Sequence, residues 1–386
     1  MRFSIWGQTN QSWADLLDIA QYADDGTWRA FYAADHFMSH ADTAEERTDF
    51  HEATALFAAL AAATSRIRLA PLVLSMTFRH PAVLANWAAT VDHVSQGRFT
   101  LGLGAGWQEN EHQRYGLELG KPGARVDRFS EGLQVITGLL SEPATTVDGQ
   151  YYRLAEGICE PKPLQRPLPI LIGATQPRML ALTARYAHEW NQWSSPGTFR
   201  EVSGRLDAAA EKIGRDPATI WRSTQARVIV TDGPQSEARA AETAAASPIP
   251  VLYGTAERIA EQMAPWAQEG VDEVILPDHL LGSGSARRDA YDGLGSGPAP
   301  ALERKGLAAG ASCPSRAGHP SHRTRRCSSR GPNHPGRGSS HRTRRCSSRL
   351  HHPRHRRPSR RDRQERPGWT WLSAPRCSSR WQARQR

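Results

Sequence analysis

Short apolar runs alternate along the first three-quarters of the chain with stretches whose apolar residues recur every three or four positions. That alternation predicts strands and helices in turn. Arg2–Trp6 reads as a strand, and Ser12 opens a helix with Asp15 completing a capping pair and Trp13, Leu16, Leu17 and Ala20 at helical spacing. Residues 30–34 form the second strand, and Asp49 and Glu52 are expected to cap the helix ATALFAALAAAT. Residues 67–75 (IRLAPLVLS) read as a third strand, apolar enough to be buried on both faces. Pro81 occupies a first-turn position, Val83, Leu84, Trp87, Val91 and Val94 make one stripe, and Gly97 stops the helix. A fourth strand covers 98–103 and a helix 128–140. After an irregular stretch, 141–167, with a hairpin around Tyr151 and Tyr152, strands are expected at 169–172, Glu189–Trp193, 225–230 and 273–276. Helices are expected between them at 178–187, 198–213 and 256–268, the last capped by Thr255. Strands and helices in this order predict an α/β fold with a parallel sheet closed into a (β/α)8 TIM barrel; the competing architecture is an open, doubly wound sheet.

Charge divides the chain. The 386 residues carry a net +10, but residues 1–294 hold 26 Lys+Arg and 36 Asp+Glu, a net of 26 − 36 = −10, and residues 295–386 hold 23 and 3, a net of 23 − 3 = +20. The basic character therefore belongs to the last segment, and a nucleic-acid binder along its whole length is excluded. That segment has no hydrophobic period, repeats SHRTRRCSSR at 321–330 and 340–349, and is expected to be a disordered Arg/Ser/Pro-rich tail. It reads as a read-through or frame-shifted extension of a barrel domain spanning 1–294; an Arg-rich tail binding nucleic acid without sequence specificity is the other reading. Cys313, Cys327, Cys346 and Cys377 lie in it, which leaves Cys159 alone in the body with no partner for a disulfide, as suits a reducing cytoplasm. No apolar leader or membrane-length apolar run is present, so neither export nor membrane insertion is expected.

Barrel chemistry gathers at the C-terminal ends of strands. The second strand ends in Asp35-His36-Phe37, where a histidine can donate or accept a proton or bond a ring cofactor, or simply pack in a loop. The third ends in Ser75-Met76-Thr77, small enough to leave room for a flat ligand and equally ordinary as a turn. The fourth ends in LGLGAGW, whose Gly102, Gly104 and Gly106 allow close backbone approach beside Trp107 as an aromatic wall, with Asn110 and Glu111 able to anchor the loop. Its G-x-G-x-G spacing is a poor dinucleotide fingerprint. The fifth runs into Gly173-Ala174-Thr175-Gln176-Pro177-Arg178, either a phosphate cradle at a helix start or a plain turn. The body has only Lys121, Lys162 and Lys212, none after a strand, and no H-x-H, H-E-x-x-H or G-x-S-x-G, so the hard chemistry is expected to belong to a cofactor, with no metal.

The segments ADHF, RHPAVLANWAATVDHVSQGRFTLGLGAGWQENEHQRYG, EPKPLQRPLPILIGA and HEWNQW, in this order, resemble the luciferase-like monooxygenase superfamily over residues 1–292. Within it the chain is similar to actinobacterial oxidoreductases that use the deazaflavin coenzyme F420. The resemblance implies a (β/α)8 barrel holding an isoalloxazine or deazaflavin ring in its mouth. It places His36 near the reactive ring edge as the catalytic residue, with Asp35 beside it among the cofactor contacts. It sets Ser75, Met76 and Thr77 at a strand-three bulge that backs the ring and carries a non-prolyl cis bond in several relatives. Gly104, Gly106 and Trp107 would flank the cofactor, and Gly173, Ala174, Thr175 and Gln176 would hold its phosphate. Trp107 stands where some F420 dehydrogenases carry a catalytic Glu, and Gly173-Ala174 stands for a common Gly-Gly. The last barrel helix is expected after LPDHLLGSGSARRDAYDGL, where the basic tail begins. The implied activity is F420-dependent hydride transfer to or from a small organic substrate; the alternatives are an FMN-dependent monooxygenase and a non-catalytic protein acting through its tail. Relatives often form dimers.

Overall fold

The computed structural model describes residues 1–40, 49–195, 197–247 and 249–294; the basic tail expected from residue 295 lies outside the described residues. The strands are β1 (Arg2–Trp6), β2 (Ala30–Ala33), β3 (Arg68–Pro71), β4 (Leu74–Ser75), β5 (Leu101–Gly104), β6 (Thr145–Asp148), β7 (Arg153–Gly157), β8 (Ile170–Gly173), β9 (Glu189–Trp193), β10 (Trp221–Gln225), β11 (Arg227–Val230), β12 (Val251–Gly254) and β13 (Glu273–Pro277). The helices are α1 (Trp13–Asp25), α2 (Ala53–Ala63), α3 (Pro81–Val94), α4 (Glu109–Tyr115), α5 (Pro122–Ser141), α6 (Pro177–Tyr186), α7 (Phe199–Glu211), α8 (Pro234–Ala246), α9 (Ala256–Gln268) and α10 (Gly284–Gly293).

Nine strands form one sheet in the order β3-β2-β1-β13-β10-β9-β8-β5-β4. Its two ends meet. β4 pairs with the end of β5, and Leu69 of β3 bridges to Phe99, just ahead of β5. β3 and β4 are thus two halves of one strand, interrupted at the cis peptide Leu72–Val73. The nine segments make eight staves, all paired in parallel, and the ring closes as a (β/α)8 barrel rather than an open sheet.

Local chemistry explains most element boundaries. The Ser12 hydroxyl accepts from the Asp15 N–H at the start of α1, and Leu16, Ile19, Ala20 and Ala23 turn inward. Glu52 caps α2, whereas Asp49 does not take part. Pro81 opens α3, which buries Leu84, Ala85, Ala88 and Val91; Val83 and Val94 of the expected stripe are exposed. β6 and β7 form the expected antiparallel hairpin.

The structure departs from expectation in three places. The seventh stave is β10, four residues earlier than the apolar pattern predicts, and Arg227–Val230 instead pairs with β12 in a separate two-stranded parallel ribbon. Trp221–Gln225 (WRSTQ) is polar because Ser223 and Gln225 bond Asn191 of the neighbouring stave and Arg222 pairs with Asp207, so hydropathy favours the more apolar run after it. Two helices, α4 and α8, have no counterpart in the sequence pattern, the first being short and the second carrying a single buried side chain, Ala240. The final barrel helix is not displaced into the tail: α10 lies within the GSGSARRDAYDGL stretch itself and buries Arg287 and Tyr291.

The N-terminal end of the barrel is closed by a polar cluster. Glu273, fully buried, accepts from Ser4 Oγ (2.5 Å), Arg29 (2.6 Å), Trp221 Nε1 (2.8 Å) and Tyr32 Oη (3.1 Å), and Arg29 also reaches Glu189 (3.1 Å). Burial pushes the Glu273 carboxyl above its usual range, against the pull of Arg29. Removing the cation would leave two buried carboxylates facing each other. Arg29→Met should therefore cost about 3–5 kcal/mol, the range for breaking a buried pair from one side. Urea unfolding of both proteins checks this, and a loss under about 1 kcal/mol, the scale of an exposed pair, would show that the cluster is not held by charge.

Candidate active site

At the opposite end, the C-terminal ends of the staves surround a cavity of about 890 Å³. Of the residues singled out from sequence, Asp35, His36, Ser75, Gly104, Gly106, Trp107, Gly173, Ala174, Thr175 and Gln176 all line it. Met76 and Thr77 do not. Met76 is buried, and its thioether occupies the space that a side chain at Gly132 of α5 would need. Thr77 stands behind Ser75. The non-prolyl cis bond expected near 75–77 falls earlier, at Leu72–Val73, and these two residues supply the backing surface of the cavity.

The glycines of β5 make that surface possible. A Cβ on Gly102 would lie 1.8 Å from the Pro71 carbonyl oxygen, and one on Gly104 2.6 Å from Val73 Cγ2. Gly106 has φ +87°, and a Cβ there would sit 2.8 Å from both Ser75 Oγ and Thr77 Oγ1. All three positions demand the absence of a side chain for contact reasons, not for a dinucleotide turn.

His36 is held from behind. Its Nδ1 lies 3.0 Å from Glu111 Oε1, and the Phe37 N–H donates to Glu111 Oε2, also at 3.0 Å. A carboxylate can only accept, so Nδ1 carries the proton and Nε2 is the nitrogen left for the cavity. Trp107 meets the imidazole edge-on, centroids 5.5 Å apart. Asp35 is engaged elsewhere. Its carboxylate takes both Arg79 nitrogens (2.7 and 2.9 Å) and the Ser75 N–H (3.0 Å), fixing the end of the third stave instead of facing a ligand.

A second chain of hydrogen bonds has its direction set by a carbonyl. His112 Nδ1 lies 2.6 Å from the Gln108 carbonyl oxygen and must donate to it. With the imidazole neutral, Nε2 accepts from Thr77 Oγ1 (2.7 Å), which in turn accepts from Ser75 Oγ (2.6 Å). Ser75 then offers lone pairs to the cavity.

The Gly173–Gln176 loop is partly committed. The Ala174 N–H donates to the Asn191 carbonyl (3.2 Å), and its own carbonyl accepts from Trp190 Nε1 (2.8 Å). Arg178 turns away to Asp127 and the Gly123 carbonyl. An anion at the start of α6 would meet the Thr175 and Gln176 backbone rather than this arginine.

The sequence does not single out the rest of the lining as site residues. It includes Trp6, Gln192, Trp193, Gln225, Arg227 and His279. Trp6 packs against Trp193 and His279, each with centroids 5.9 Å apart. Glu111, expected only to anchor its loop, is the partner of His36. Among the described residues no cluster of metal-binding side chains occurs, and no helix is long and apolar enough to cross a membrane.

Burial, helped by the charge of Arg227, lowers His279 from 6.5 to about 4. The neutral ring is the folded form, so its contribution to stability is complete above pH 6.5 and drains away as pH falls towards about 4. His279→Phe should lose less stability than the parent protein across that interval, read as a smaller drop in Tm; parallel curves would refute the assignment.

Residues 1–278 match the family model described as luciferase-like monooxygenase. Pyrimidine monooxygenase RutA of Cronobacter sakazakii is 32% identical over 172 residues, 43% of this chain and 50% of RutA, so the chain spans about half the length of the curated relatives it matches. Among solved structures, the F420-dependent tetrahydromethanopterin reductase of Methanopyrus kandleri superposes with a TM-score of 0.65 at 17% identity, covering 76% of this chain and 97% of the reductase. EDTA monooxygenase from Chelativorans sp. BNC1 gives 0.69 at 17% identity, covering 80% and 95%. At such identities these two likenesses establish the fold. With a closed barrel, a deep cavity at the C-terminal ends of its strands and a family match across most of the described residues, the chain belongs to the luciferase-like monooxygenase family of oxidoreductases.

Proposed function

We propose that the cavity binds the deazaflavin coenzyme F420 and serves hydride transfer between that cofactor and a small organic substrate. The observation that carries this reading is His36, oriented by Glu111 so that its other ring nitrogen has no partner among the described residues at the cavity wall. The surroundings suit a flat ring. Val73 and Leu72 form a backing surface that a Cβ at Gly104 would displace, Trp107 borders it, and Ser75 presents an acceptor. Thr175 and Gln176 at the start of α6 would meet the cofactor phosphate.

Such a ring, when bound, supplies the hydride or accepts it. The protein's part is to exclude water, fix the ring against Val73 and handle a proton. His36 Nε2 can give a proton to a substrate oxygen as hydride arrives, or take one as hydride leaves, while Glu111 stabilises the imidazolium. A second reading is an FMN-dependent monooxygenase, favoured by the 32% identity to a pyrimidine monooxygenase over 172 residues.

Titration of the purified full chain with F420 and with FMN, followed by cofactor fluorescence, separates the two. The first reading expects saturable F420 binding; tight FMN binding with no F420 response overturns it in favour of the second. His36→Ala should lower turnover at least ~100-fold, the lower end of general acid–base contributions, with cofactor affinity largely kept. An unchanged rate would remove His36 from the chemistry.

A further inference from the structure

Charges in the cavity wall are matched, with one exception. Asp35 is held by Arg79, and Glu111 by His36 and the Phe37 N–H. Arg227 also lines the cavity, and its side chain has no carboxylate or hydrogen-bond partner among the described residues; its Nε is shut off from solvent. Three more polar atoms of the same wall are buried without partners: Gln192 Nε2, Gln225 Oε1 and His279 Nδ1. Gln192 and Gln225 are 4% and 3% exposed, so their amides have little water to turn to. Buried polar groups in native proteins are nearly always paired, and a concentration of orphans in one cavity wall points to a ligand that pairs them.

The polarity of the wall is fixed. Ser223 Oγ donates to the Trp190 carbonyl (3.1 Å) and so accepts from Asn191 Nδ2 (2.9 Å). Asn191 Oδ1 then accepts from Gln225 Nε2 (2.8 Å), which leaves Gln225 Oε1 as a fixed acceptor. Arg227 and Gln192 line the same cavity, as do Trp6 and Trp193, which pack on each other. The sheet order β8-β9-β10 puts a whole stave between the loop after β8, at 173–176, and Arg227, which follows β10.

We propose that this wall is a subsite for the carboxylate of an organic substrate that carries a hydroxyl or N–H beside it. Arg227 and Gln192 meet the carboxylate, Gln225 accepts from the neighbouring donor, and the apolar remainder lies against Trp6 and Trp193. The proposal rests on the reading of this cavity as the site of oxidoreduction and names the substrate class it takes. The same guanidinium could instead hold the cofactor's phosphate, which is the other source of an anion.

The test uses mandelate, phenylacetate and mandelamide, which share an aromatic ring but differ in charge and hydroxyl, with binding measured by calorimetry on the full chain. Mandelate is expected to bind at least ~10-fold more tightly than mandelamide, and more tightly than phenylacetate. Arg227→Gln should erase the preference for mandelate over the amide, and Arg227→Lys should keep part of it. Equal binding of acid and amide, no binding of either acid, or a preference that survives Arg227→Gln overturns the subsite. Titrating the same samples with FMN and riboflavin separates the sources: if Arg227→Gln weakens FMN but not riboflavin, the arginine belongs to the phosphate and the substrate assignment falls. Cofactor binding without acid selectivity sinks this proposal alone; acid selectivity without binding of F420 or FMN leaves the subsite standing and sinks the cofactor reading.

Discussion

The barrel closes where a strand with glycine at two of its four positions meets a strand that cannot retreat. Pro71 and Val73 lie against Gly102 and Gly104, so near that a methyl group at either glycine would overlap its neighbour. Close-packed interiors do not absorb overlaps of that size by small shifts. The third stave therefore sits tight against the fourth, its two halves bracketing Leu72–Val73, and the same contact turns that dipeptide towards the cavity. Closure and the back wall of the site are one piece of geometry. The Ser75 N–H follows directly and is pinned by Asp35, which places His36, the next residue, at the mouth.

Polar groups inside a barrel must be matched, and the two ends do so differently. Below, Glu273 and Glu189 share Arg29, with hydroxyls and an indole satisfying most of what remains. Among the described residues one atom of this cluster, Glu189 Oε2, is buried without a partner. Above, the matched groups are held by partners behind the wall: His36 by Glu111, Ser75 by the Thr77–His112 chain, Gln225 by Asn191. Each such chain ends in a carboxylate or a backbone carbonyl, acceptors that cannot reverse, so each side chain at the wall keeps one polarity. Preorganised polarity of this kind is what a site needs to orient a ligand before any chemistry begins.

The sequence is legible where local rules and tertiary demands agree. Ser12, Pro81 and Thr255 cap or open their helices as those residue types should, and EWNQW spans β9 as expected. His36, Ser75 and the glycines stand out because they follow apolar strands directly. The part of the wall supplied by Gln225 and Arg227 is illegible for a physical reason. β10 is polar because Ser223 and Gln225 bond Asn191 on one face while Arg222 pairs with Asp207 of α7 on the other, so the apolar run at 227–230 draws the strand assignment towards itself. That shift places Gln225 and Arg227 at the beginning of a strand, where a barrel keeps stability, rather than at its end, where it keeps chemistry. Thr77 errs in the opposite sense, since no one-dimensional pattern shows that it stands one layer behind Ser75.

The last described helix is tied to both ends of the barrel. α10 has few apolar residues and reads as a loop running into the tail, yet it is tied down on its inner face. Arg287 pairs with buried Asp278 at 2.9 Å and donates to the Asp15 carbonyl, and Tyr291 donates to the Leu276 carbonyl and stacks on Tyr22. Burial raises the Asp278 carboxyl, with Gln11 and Arg287 pulling the other way, so the aspartate is tolerated only because its partners are in place. These bonds join the end of the eighth stave to α1, the first helix of the barrel. Leu294 is itself buried against the core. Among the described residues, α10 thus links the end of the eighth stave back to the first helix of the barrel.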